Sequence, residues 1–309
     1  MKNQKKTISI GISVYNEAET IENLIMSIVR QDQTDFTLER IYVICDGTND
    51  GTEKIVKKLA QKYSVIHLMN DGKRKGKVER MKEIFQLNLS DIIMILDGDV
   101  VLSSQDVLYK VVKCFENNEV ALVSANNQPV KADTLIGKII NYDIYIWYLV
   151  RSRHNNGDNI FNIRGCCIAL SKKFASNLNF PTQIHSYGRY LYLLCQQKKL
   201  RFVFAKKAII LYRKPTNISD YISQSRRMVS DRSILQEIFG NRSREIFKIP
   251  VKYKLLAVLE AIFQNPILFI SSVALKFIVK KIPITKLNSK STVFWGMVKS
   301  TKKPIPIPF

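Results

Sequence analysis

Residues 92–99 read Ile92-Ile93-Met94-Ile95-Leu96-Asp97-Gly98-Asp99, five apolar residues followed at once by two carboxylates on either side of a glycine. An unbroken apolar run of this length is typical of a buried strand in a parallel sheet. Such a strand would carry Asp97 and Asp99 to the carboxyl edge of the sheet, where open α/β sheets bind their ligands. A strand that simply ends in an Asp-Gly turn explains the same residues, so the neighbouring segments must distinguish the two.

Two carboxylates at one sheet edge repel each other unless a positive charge lies between them. A hard divalent cation, held by oxygen ligands and shared with the phosphates of a substrate, is the usual solution in proteins. Asp97 and Asp99 are therefore the candidate metal ligands of this chain.

Strand and helix patterns alternate along the first hundred residues. This alternation predicts a parallel sheet with right-handed crossovers, as in nucleotide-binding α/β proteins. The predicted strands are Thr7–Val14, Arg40–Cys45, Val65–Met69 and Ile92–Leu96, and the predicted helices are Glu19–Arg30, Thr52–Lys62 and Lys77–Leu87.

The pattern becomes mixed after Asp99. Long apolar and aromatic stretches here still alternate between helical and strand spacing, and they contain no internal repeats. The predicted helices are Ser104–Glu116, Leu135–Arg153 and Tyr187–Gln197, and the predicted strands are Val120–Ser124, Asn162–Leu170 and Leu200–Tyr212.

The chain is strongly and unevenly basic. Its 309 residues carry a net charge of +22, and residues 201–309 alone hold 21 Lys/Arg against 5 Asp/Glu. A basic C-terminal third indicates an anionic partner, which could be an acidic lipid surface, a phosphorylated substrate or nucleic acid. A merely well-solvated basic surface is the alternative.

Cysteine usage and the N-terminal sequence indicate a cytosolic environment. The five cysteines form no C-x-x-C pair and several lie in apolar runs, which predicts reduced, buried thiols. The first residues lead directly into a strand pattern and lack the apolar core of a signal peptide. The hydrophobic fraction of 46% fits a globular protein.

The other strand ends add polar groups to the same edge. Tyr15 and Glu17 follow the first predicted strand, and Asp46 follows the second. Lys75 and Lys77, on either side of Gly76, lie in the loop before the third helix, where they could contact phosphates or simply face water. Since no G-x-G-x-x-G pattern is present, we expect a metal to hold the phosphates.

Four motifs in order resemble the family 2 glycosyltransferases of the GT-A fold. They are Ser13-Val14-Tyr15-Asn16-Glu17, Asp46-Gly47-Thr48-Asn49-Asp50-Gly51-Thr52, Lys75-Gly76-Lys77 and Asp97-Gly98-Asp99. The match is good over residues 7–99 and weaker to about residue 230. It implies an α/β fold with a Rossmann-like, mostly parallel sheet and flanking helices.

The resemblance also implies a chemistry. The expected donor is a nucleotide-diphosphate sugar, the expected cofactor Mg²⁺ or Mn²⁺, and the expected reaction transfer with inversion at the anomeric carbon. By this carry-over Glu17 and Asp46 contact the nucleoside, Asp97 the ribose or diphosphate, and Asp99 the metal. The full set of expected donor-binding residues is Ser13, Tyr15, Glu17, Asp46, Lys75, Lys77 and Asp97.

The second half departs from the family pattern. The acid that deprotonates the acceptor in membrane-associated members aligns with Gly188, and the later Gln-x-x-Arg-Trp motif keeps only Gln224 and Arg227. His185 could supply the base instead, since its usual pKa near 6.5 suits that work. Alternatively the acceptor is already an anion such as a polyprenyl phosphate, the acid lies elsewhere, or the chain is a sugar-nucleotide-binding pseudoenzyme that acts as a scaffold.

We expect a glycosyltransferase domain over residues 1–235, with a nucleotide-sugar half at 1–100 and an acceptor half at 101–235. Residues 236–309 would form a basic helical extension that associates with the membrane. Within it Leu255–Leu275 is mostly apolar but broken at Asn265-Pro266. This favours a re-entrant hairpin or in-plane helices over a single span, with an ordinary soluble helix pair as a further alternative.

These features predict an enzyme at the cytoplasmic face of a membrane, held peripherally, by a re-entrant segment or by one hydrophobic segment at 255–279. Its partners would be a nucleotide-diphosphate sugar, a lipid-phosphate or saccharide acceptor and an anionic membrane surface. Nucleic acid is not expected, because base-reading motifs are absent and acidic strand ends repel phosphates. A nucleotidyltransferase would need a basic glycine-rich loop after the first strand, where Tyr15-Asn16-Glu17 is acidic.

Overall fold

The computed structural model describes residues 5–176, 178–181, 184, 187–227, 231–281 and 298–309. Its strands are β1 (Lys6–Val14), β2 (Phe36–Cys45), β3 (Ile66–Asn70), β4 (Ile92–Asp97), β5 (Val100–Leu102), β6 (Val120–Pro129), β7 (Cys167–Ser171) and β8 (Arg201–Tyr212). Its helices are α1 (Ile21–Val29), α2 (Thr52–Lys62), α3 (Lys77–Leu87), α4 (Val107–Val112), α5 (Leu135–Arg153), α6 (Lys172–Ala175), α7 (Tyr187–Gln197), α8 (Ile218–Arg227), α9 (Asp231–Phe239), α10 (Asn241–Ile246), α11 (Val251–Gln264) and α12 (Pro266–Lys281).

The strands form one mixed sheet in the order β3-β2-β1-β4-β7-β6-β8-β5. β1 pairs in parallel with β2 and β4, and β2 with β3, whereas β4–β7, β6–β7 and β5–β8 are antiparallel. The predicted α/β sheet with flanking helices is therefore confirmed, and its parallel part is the first four predicted strands.

The parallel strands are buried because helices cover them, as their continuous apolar runs predicted. Ile8, Ile10 and Ile12 in β1 are fully buried. Gly11 lets α3 approach β1 closely, since a Cβ at this position would lie 2.3 Å from Cγ2 of Ile84.

The chain folds into two compact units that interleave along the sequence. The first unit comprises Met1–Gln128, Ile163–Tyr212 and Lys302–Phe309, and the second comprises Pro129–Asn162 and Arg213–Thr301. This division differs from a linear boundary at residue 235, because the chain enters and leaves the second unit twice.

Some predicted elements differ from those observed. The helix predicted over Ser104–Glu116 is the shorter α4, followed by a 3-10 turn at Lys113–Glu116. The strand predicted over Asn162–Leu170 begins only at Cys167. The Asn162 side chain donates to the carbonyls of Arg151 and Gly157 at 3.1 and 2.7 Å, and such local bonds compete with strand pairing. The short strand β5 was not predicted, since three residues carry no measurable period.

In the second unit, α5 packs against α11 and α12. Tyr142 and Ile146 of α5 lie against Ala261, and the Tyr142 hydroxyl donates to the Ala261 carbonyl at 2.5 Å. Arg153 also pairs with Glu260. α5 is therefore fixed to α11 by both apolar and polar contacts.

The apolar stretch at Leu255–Leu275 belongs to two helices, α11 and α12, and not to one continuous helix. Asn265 is extended, as expected before proline, and its side chain accepts a hydrogen bond from the Leu268 amide at 2.9 Å to cap α12. Within the described ranges, the helices are all too short or too polar to cross a membrane.

Candidate active site

Three strand ends bring the predicted donor-binding residues to one edge of the sheet. Ser13 of β1 lies beside Asp97 of β4, and Val14 lies beside Cys45 of β2. The residues that follow, including Tyr15 and Asp46, therefore leave neighbouring strands at the same level. This is the carboxyl edge of the parallel part of the sheet.

The loops after β1 and β2 are tied together. Asn16 has a positive φ of 55°, and its side chain accepts a hydrogen bond from the Asn49 amide at 3.0 Å. The next amide, that of Glu17, donates to the Thr52 hydroxyl at 2.8 Å. These bonds turn the chain at Asn16 so that the Glu17 side chain packs against Gly98, between Asp97 and Asp99.

Asp46 organises the loop that carries the lysines. Its carboxylate is buried and accepts hydrogen bonds from the Lys75 amide at 2.7 Å and the Gly76 amide at 3.1 Å. It also pairs with Nε of Arg80 at 3.0 Å. The predicted nucleoside contact of Asp46 stays a prediction, while its contacts give it a role in shaping this loop.

Arg80 is the centre of a buried ion-pair network. Only 2% of its surface is exposed, and its guanidinium pairs with Asp71 at 2.6 Å and Glu83 at 3.0 Å in addition to Asp46. Hydrogen bonds from Arg80 and Lys75 hold the pKa of Asp71 below its usual value. Lys75 pairs with Asp71 at 2.8 Å and Glu83 at 2.6 Å, so its side chain belongs to the same network.

An aromatic–guanidinium stack borders the site. The guanidinium of Arg74 lies 3.6 Å from the centre of the Tyr15 ring, within cation–π distance. Gly47, with a φ of +72°, allows this approach, because a Cβ there would lie 3.1 Å from Cβ of Arg74. The ring of Tyr15, a predicted donor-binding residue, is thus held in place by the positively charged guanidinium of Arg74.

Asp97 is paired with Lys77. The Lys77 ammonium contacts Oδ1 of Asp97 and lies 5.3 Å from the centre of the Tyr187 ring. The Tyr187 hydroxyl donates to the Gly165 carbonyl at 2.7 Å, and that glycine leaves the space for it. The start of α7 is therefore fixed next to the Asp97–Lys77 pair.

Asp99 and Glu17 share one ammonium, that of Lys302. The Lys302 ammonium contacts Oε1 of Glu17 and lies 3.1 Å from Oδ2 of Asp99. Burial, followed by the charge of Asp99, raises the pKa of Glu17 to about 7, although Lys302 and a hydrogen bond from Thr20 act against this. Burial alone would lower the pKa of Lys302, but Asp99 and Glu17 outweigh it and raise that pKa.

The small residue between the two aspartates is required by packing. A Cβ on Gly98 would lie 2.9 Å from Cγ of Glu17 and 3.0 Å from Cγ1 of Val14. The Thr20 hydroxyl lies 3.0 Å from both the Gly98 carbonyl oxygen and Oε2 of Glu17, so its one proton is shared between these two acceptors. Glu17 and the Asp97–Asp99 turn are therefore packed as one piece.

The acids fit a divalent cation that is shared with a substrate. Over the described part of the chain, nowhere do three or more His, Cys, Asp or Glu side chains gather in a way that could hold a metal by themselves. Asp99 nevertheless holds a cation, the Lys302 ammonium, and its side chain is 26% exposed. Mg²⁺-type sites with one or two carboxylates and substrate phosphates need no more from the protein.

The residues predicted for the acceptor half are placed differently. His185 lies outside the described residues. Gly188 is buried in α7, where a Cβ would lie 3.2 Å from Cδ1 of Ile168 and 3.4 Å from Cγ1 of Ile163. Gln224 belongs to α8 of the second unit and accepts a hydrogen bond from Lys214 at 2.8 Å, and Arg227 ends that helix. The catalytic roles of His185, Gln224 and Arg227 stay predictions.

Sequence reasoning missed Arg80, Tyr187 and Lys302. Arg80 had a signal, because it falls on the buried face of α3 with Met81 and Ile84, where a charged residue needs partners. Tyr187 is one of several tyrosines in α7, and Lys302 lies 203 positions from Asp99. For these two, no local pattern marks the contact.

Comparisons with known proteins agree with this geometry. The family model for glycosyl transferase family 2 matches residues 9–178. Poly-β-1,6-N-acetyl-D-glucosamine synthase of Staphylococcus epidermidis is 24% identical over 152 residues, 48% of this chain and 36% of that protein. Cholesterol galactosyltransferase of Borreliella burgdorferi is 30% identical over 118 residues, 38% of this chain and 32% of that protein. The chain thus spans about a third of the length of these curated relatives.

A solved structure extends the likeness in fold to most of the chain. The mannosyltransferase PcManGT from Pyrobaculum calidifontis, solved with GDP-Man and Mn²⁺, superposes with a TM-score of 0.60 at 17% identity. The superposition covers 92% of this chain and 77% of that one. The fold is therefore GT-A. Since the family model covers more than half of the chain, including every strand end described above, the chain belongs to glycosyl transferase family 2.

Proposed function

We propose that this chain transfers a sugar from a nucleotide-diphosphate sugar to an acceptor, with the help of Mg²⁺ or Mn²⁺. The observation that carries this is the pair of acid–lysine contacts at one sheet edge: Asp97 with Lys77, and Asp99 and Glu17 with Lys302. Such a set binds a cation and an anion together, as a metal-bound diphosphate requires. The similarity to a poly-β-1,6-N-acetyl-D-glucosamine synthase and to a mannosyltransferase solved with GDP-Man and Mn²⁺ supports the same chemistry.

Each part of the site has a role in this reaction. Asp99, with Asp97, would hold the cation, which when bound offsets the negative charge that develops on the leaving diphosphate. Lys77 lies at Asp97 and places a second positive charge beside that group. Tyr15, stacked on Arg74, offers a flat face to the nucleoside.

We propose an acceptor that is already anionic, such as a lipid phosphate, in preference to a saccharide hydroxyl. Gly188 cannot take a proton, and the side chains nearest to it are those of Ile163 and Ile168. An anionic oxygen needs no base to attack the anomeric carbon. Its single displacement of the diphosphate would form the new glycosidic bond as the old one breaks, with inversion.

The surface of α11 and α12 supports attachment to an anionic membrane. The exposed side chains of these two helices are mainly large and apolar, and the lysines Lys252, Lys254 and Lys280 are exposed beside them. Apolar side chains flanked by lysines are typical of helices that lie in the lipid interface. The apolar set is Val251, Leu255, Leu256, Leu259, Ile262, Phe263, Ile267, Ile270, Phe277 and Ile278.

The donor proposal is tested by binding and transfer with a panel of nucleotide-diphosphate sugars and Mn²⁺. We expect one donor to bind in a Mn²⁺-dependent way, and Asp99→Asn to weaken that binding at least tenfold. The control is Asp106→Asn, which removes a carboxylate that pairs with Lys110 at 2.8 Å, away from the strand ends that form the candidate site. If neither variant alters the affinity for any donor, the proposal fails.

The acceptor proposal is tested with the donor so identified. Polyprenyl phosphate and free saccharides are offered as acceptors, and the configuration of the product is read by NMR. Transfer to the lipid phosphate with inversion is the expected result. Transfer only to a saccharide, or retention of configuration, would contradict it.

The membrane proposal is tested by sedimentation with vesicles that contain anionic lipid. The double variant Leu259→Ser/Phe263→Ser should lose most binding, because 54% and 87% of these side chains are exposed. Leu89→Ser is the matched control, since Leu89 is 72% exposed in the first unit. Equal loss in both variants, or in neither, would count against this surface.

A pseudoenzyme that binds the donor without transferring sugar is the second candidate. The glycine at position 188 favours it. Tight Mn²⁺-dependent donor binding, with no turnover on any acceptor in the panel, would establish this alternative.

A further inference from the structure

The segment Lys302–Phe309 is packed onto the first unit. Ile305 is 3% exposed, and its carbonyl accepts a hydrogen bond from the Asn23 side chain of α1 at 2.9 Å. α1 begins at Ile21, directly after the loop that holds Glu17. A docked segment of this kind fixes where the Lys302 side chain enters the site.

Two lysine ammoniums meet three acids at this edge: Lys77 pairs with Asp97, and Lys302 contacts Glu17 and Asp99. The Lys302 ammonium has three N–H donors and uses two of them on Glu17 and Asp99. One donor therefore remains to meet another acceptor at this edge.

A divalent cation on Asp99 would change the surroundings of Lys302. Two cations that share one carboxylate repel each other strongly at a distance of about 4 Å in a partly buried site. Lys302 can keep its contact with the buried Glu17, and the long lysine side chain can turn its remaining donors toward an anion. The anion that arrives with the cation is a diphosphate.

We propose that Lys302 is a donor-binding residue whose ammonium contacts the diphosphate of the nucleotide sugar once the divalent cation occupies Asp99. The inference rests on the proposed function and adds the 302–309 segment to the donor site. It assigns to Glu17 the task of anchoring that ammonium, and to Ile305 the task of anchoring the segment.

The test measures two affinities of the full chain. Mn²⁺ alone is titrated by electron paramagnetic resonance of the free ion, and UDP or GDP is titrated by calorimetry at saturating Mn²⁺. We expect Lys302→Met to weaken nucleotide binding about tenfold or more, as the loss of a charge-assisted hydrogen bond does, and to leave Mn²⁺ binding equal or tighter. Lys302→Arg, which keeps the charge, should stay within about threefold of the unmodified chain.

The neighbouring lysine is the matched control. Lys303→Met removes the same charge from the next, exposed position and should leave nucleotide binding unchanged. Ile305→Ser loosens the anchor without touching the charge and should weaken nucleotide binding in the same direction as Lys302→Met. Should Lys302→Met fail to fold, as judged by circular dichroism, Ile305→Ser and Lys302→Arg provide the comparison.

Three outcomes overturn the inference. Nucleotide binding by Lys302→Met that equals or exceeds that of the unmodified chain would mean that Lys302 only balances or blocks the acids. Unchanged nucleotide binding in Ile305→Ser would remove the 302–309 segment from the site. If the unmodified chain binds no nucleotide at all, the proposed function fails with it, whereas weakening by Asp99→Asn alone leaves the proposed function intact.

Discussion

At the scale of single residues, the packing around Gly188 explains why no acidic side chain stands at this position. A side chain at this position of α7 would point at Ile163 and Ile168, with first contacts at 3.2 and 3.4 Å. A carboxylate there would be pressed against these apolar side chains, and burying it in such surroundings costs free energy. The position at the start of a helix favours a negative charge by at most about 1 kcal/mol, too little to offset that burial.

We therefore expect Gly188→Asp to lower the free energy of unfolding by about 3 kcal/mol or more without creating a transferase. Gly188→Ala should stay within about 1 kcal/mol of the unmodified chain, because better helix propensity offsets the close contact with Ile168. Urea denaturation measures both. An aspartate variant as stable as the alanine variant, with new activity, would contradict this account.

Glu17 gives the stability a dependence on pH. Its pKa in the folded chain is about 7, above the usual 4.5, so the native state holds a proton that the unfolded state has already released. The stabilisation is complete below pH 4.5 and is lost as the pH rises through about 7. The loss amounts to at most about 3 kcal/mol.

Glu17→Gln should remove this dependence. In chelator, the unfolding free energies of the unmodified chain and the variant are compared from pH 4.5 to 8. We expect the unmodified chain to lose stability relative to the variant as the pH rises. Two parallel curves would show that Glu17 titrates as an ordinary glutamate.

At the scale of elements, Arg80 joins α3 to the loop that precedes it. Its guanidinium pairs with Asp46, Asp71 and Glu83 and contacts the Lys73 carbonyl. Lysine carries one point charge and cannot reproduce this fork of donors. The shape of the Asp71–Gly76 loop therefore depends on this one side chain.

We expect Arg80→Lys to cost about 3 kcal/mol in urea unfolding, because a buried pair is broken, and to weaken nucleotide binding as the loop loosens. Lys82→Met is the control, since the Lys82–Glu79 pair on the same helix is solvent-accessible and worth less than about 1 kcal/mol. Equal losses in the two variants would show that the network contributes nothing special.

Elements with a clear period were predictable, and contacts between distant segments were not. α2, α3, α5 and α7 begin and end where their apolar spacing predicted. The carboxyl edge followed as well, because parallel strands align Asp46 with Asp97 and Asp99. Lys302 could not be found, since nothing in two adjacent lysines before a proline-rich stretch indicates a partner 285 positions away.

At the scale of the whole molecule, the two units interleave along the sequence, so cutting the chain at one position removes contacts within a unit. α11 and α12 cover α5, whose Tyr142, Ile146 and Leu149 are 6–9% exposed. Residues 302–309 return to the first unit. A chain that ended at residue 235 would thus lack part of each unit.

We expect a chain that ends at residue 235 to aggregate, because α5 then exposes its apolar face. A chain that ends at Thr301 keeps the α5–α11–α12 packing and should remain monodisperse, with a lower melting temperature. Size-exclusion chromatography and thermal denaturation measure both. A monodisperse, cooperatively melting 1–235 fragment would instead support the linear boundary.

The contact between Glu17 and Lys302 also affects the order in which parts of the fold form. Contacts between residues so distant in sequence form late, because the entropy of closing the intervening loop must be overcome first. On the ribosome Glu17 emerges 285 residues before Lys302, so its carboxylate can meet this ammonium only after those residues have been added. The acid that follows the first strand is thus made early, while its contact with Lys302 is among the last to form.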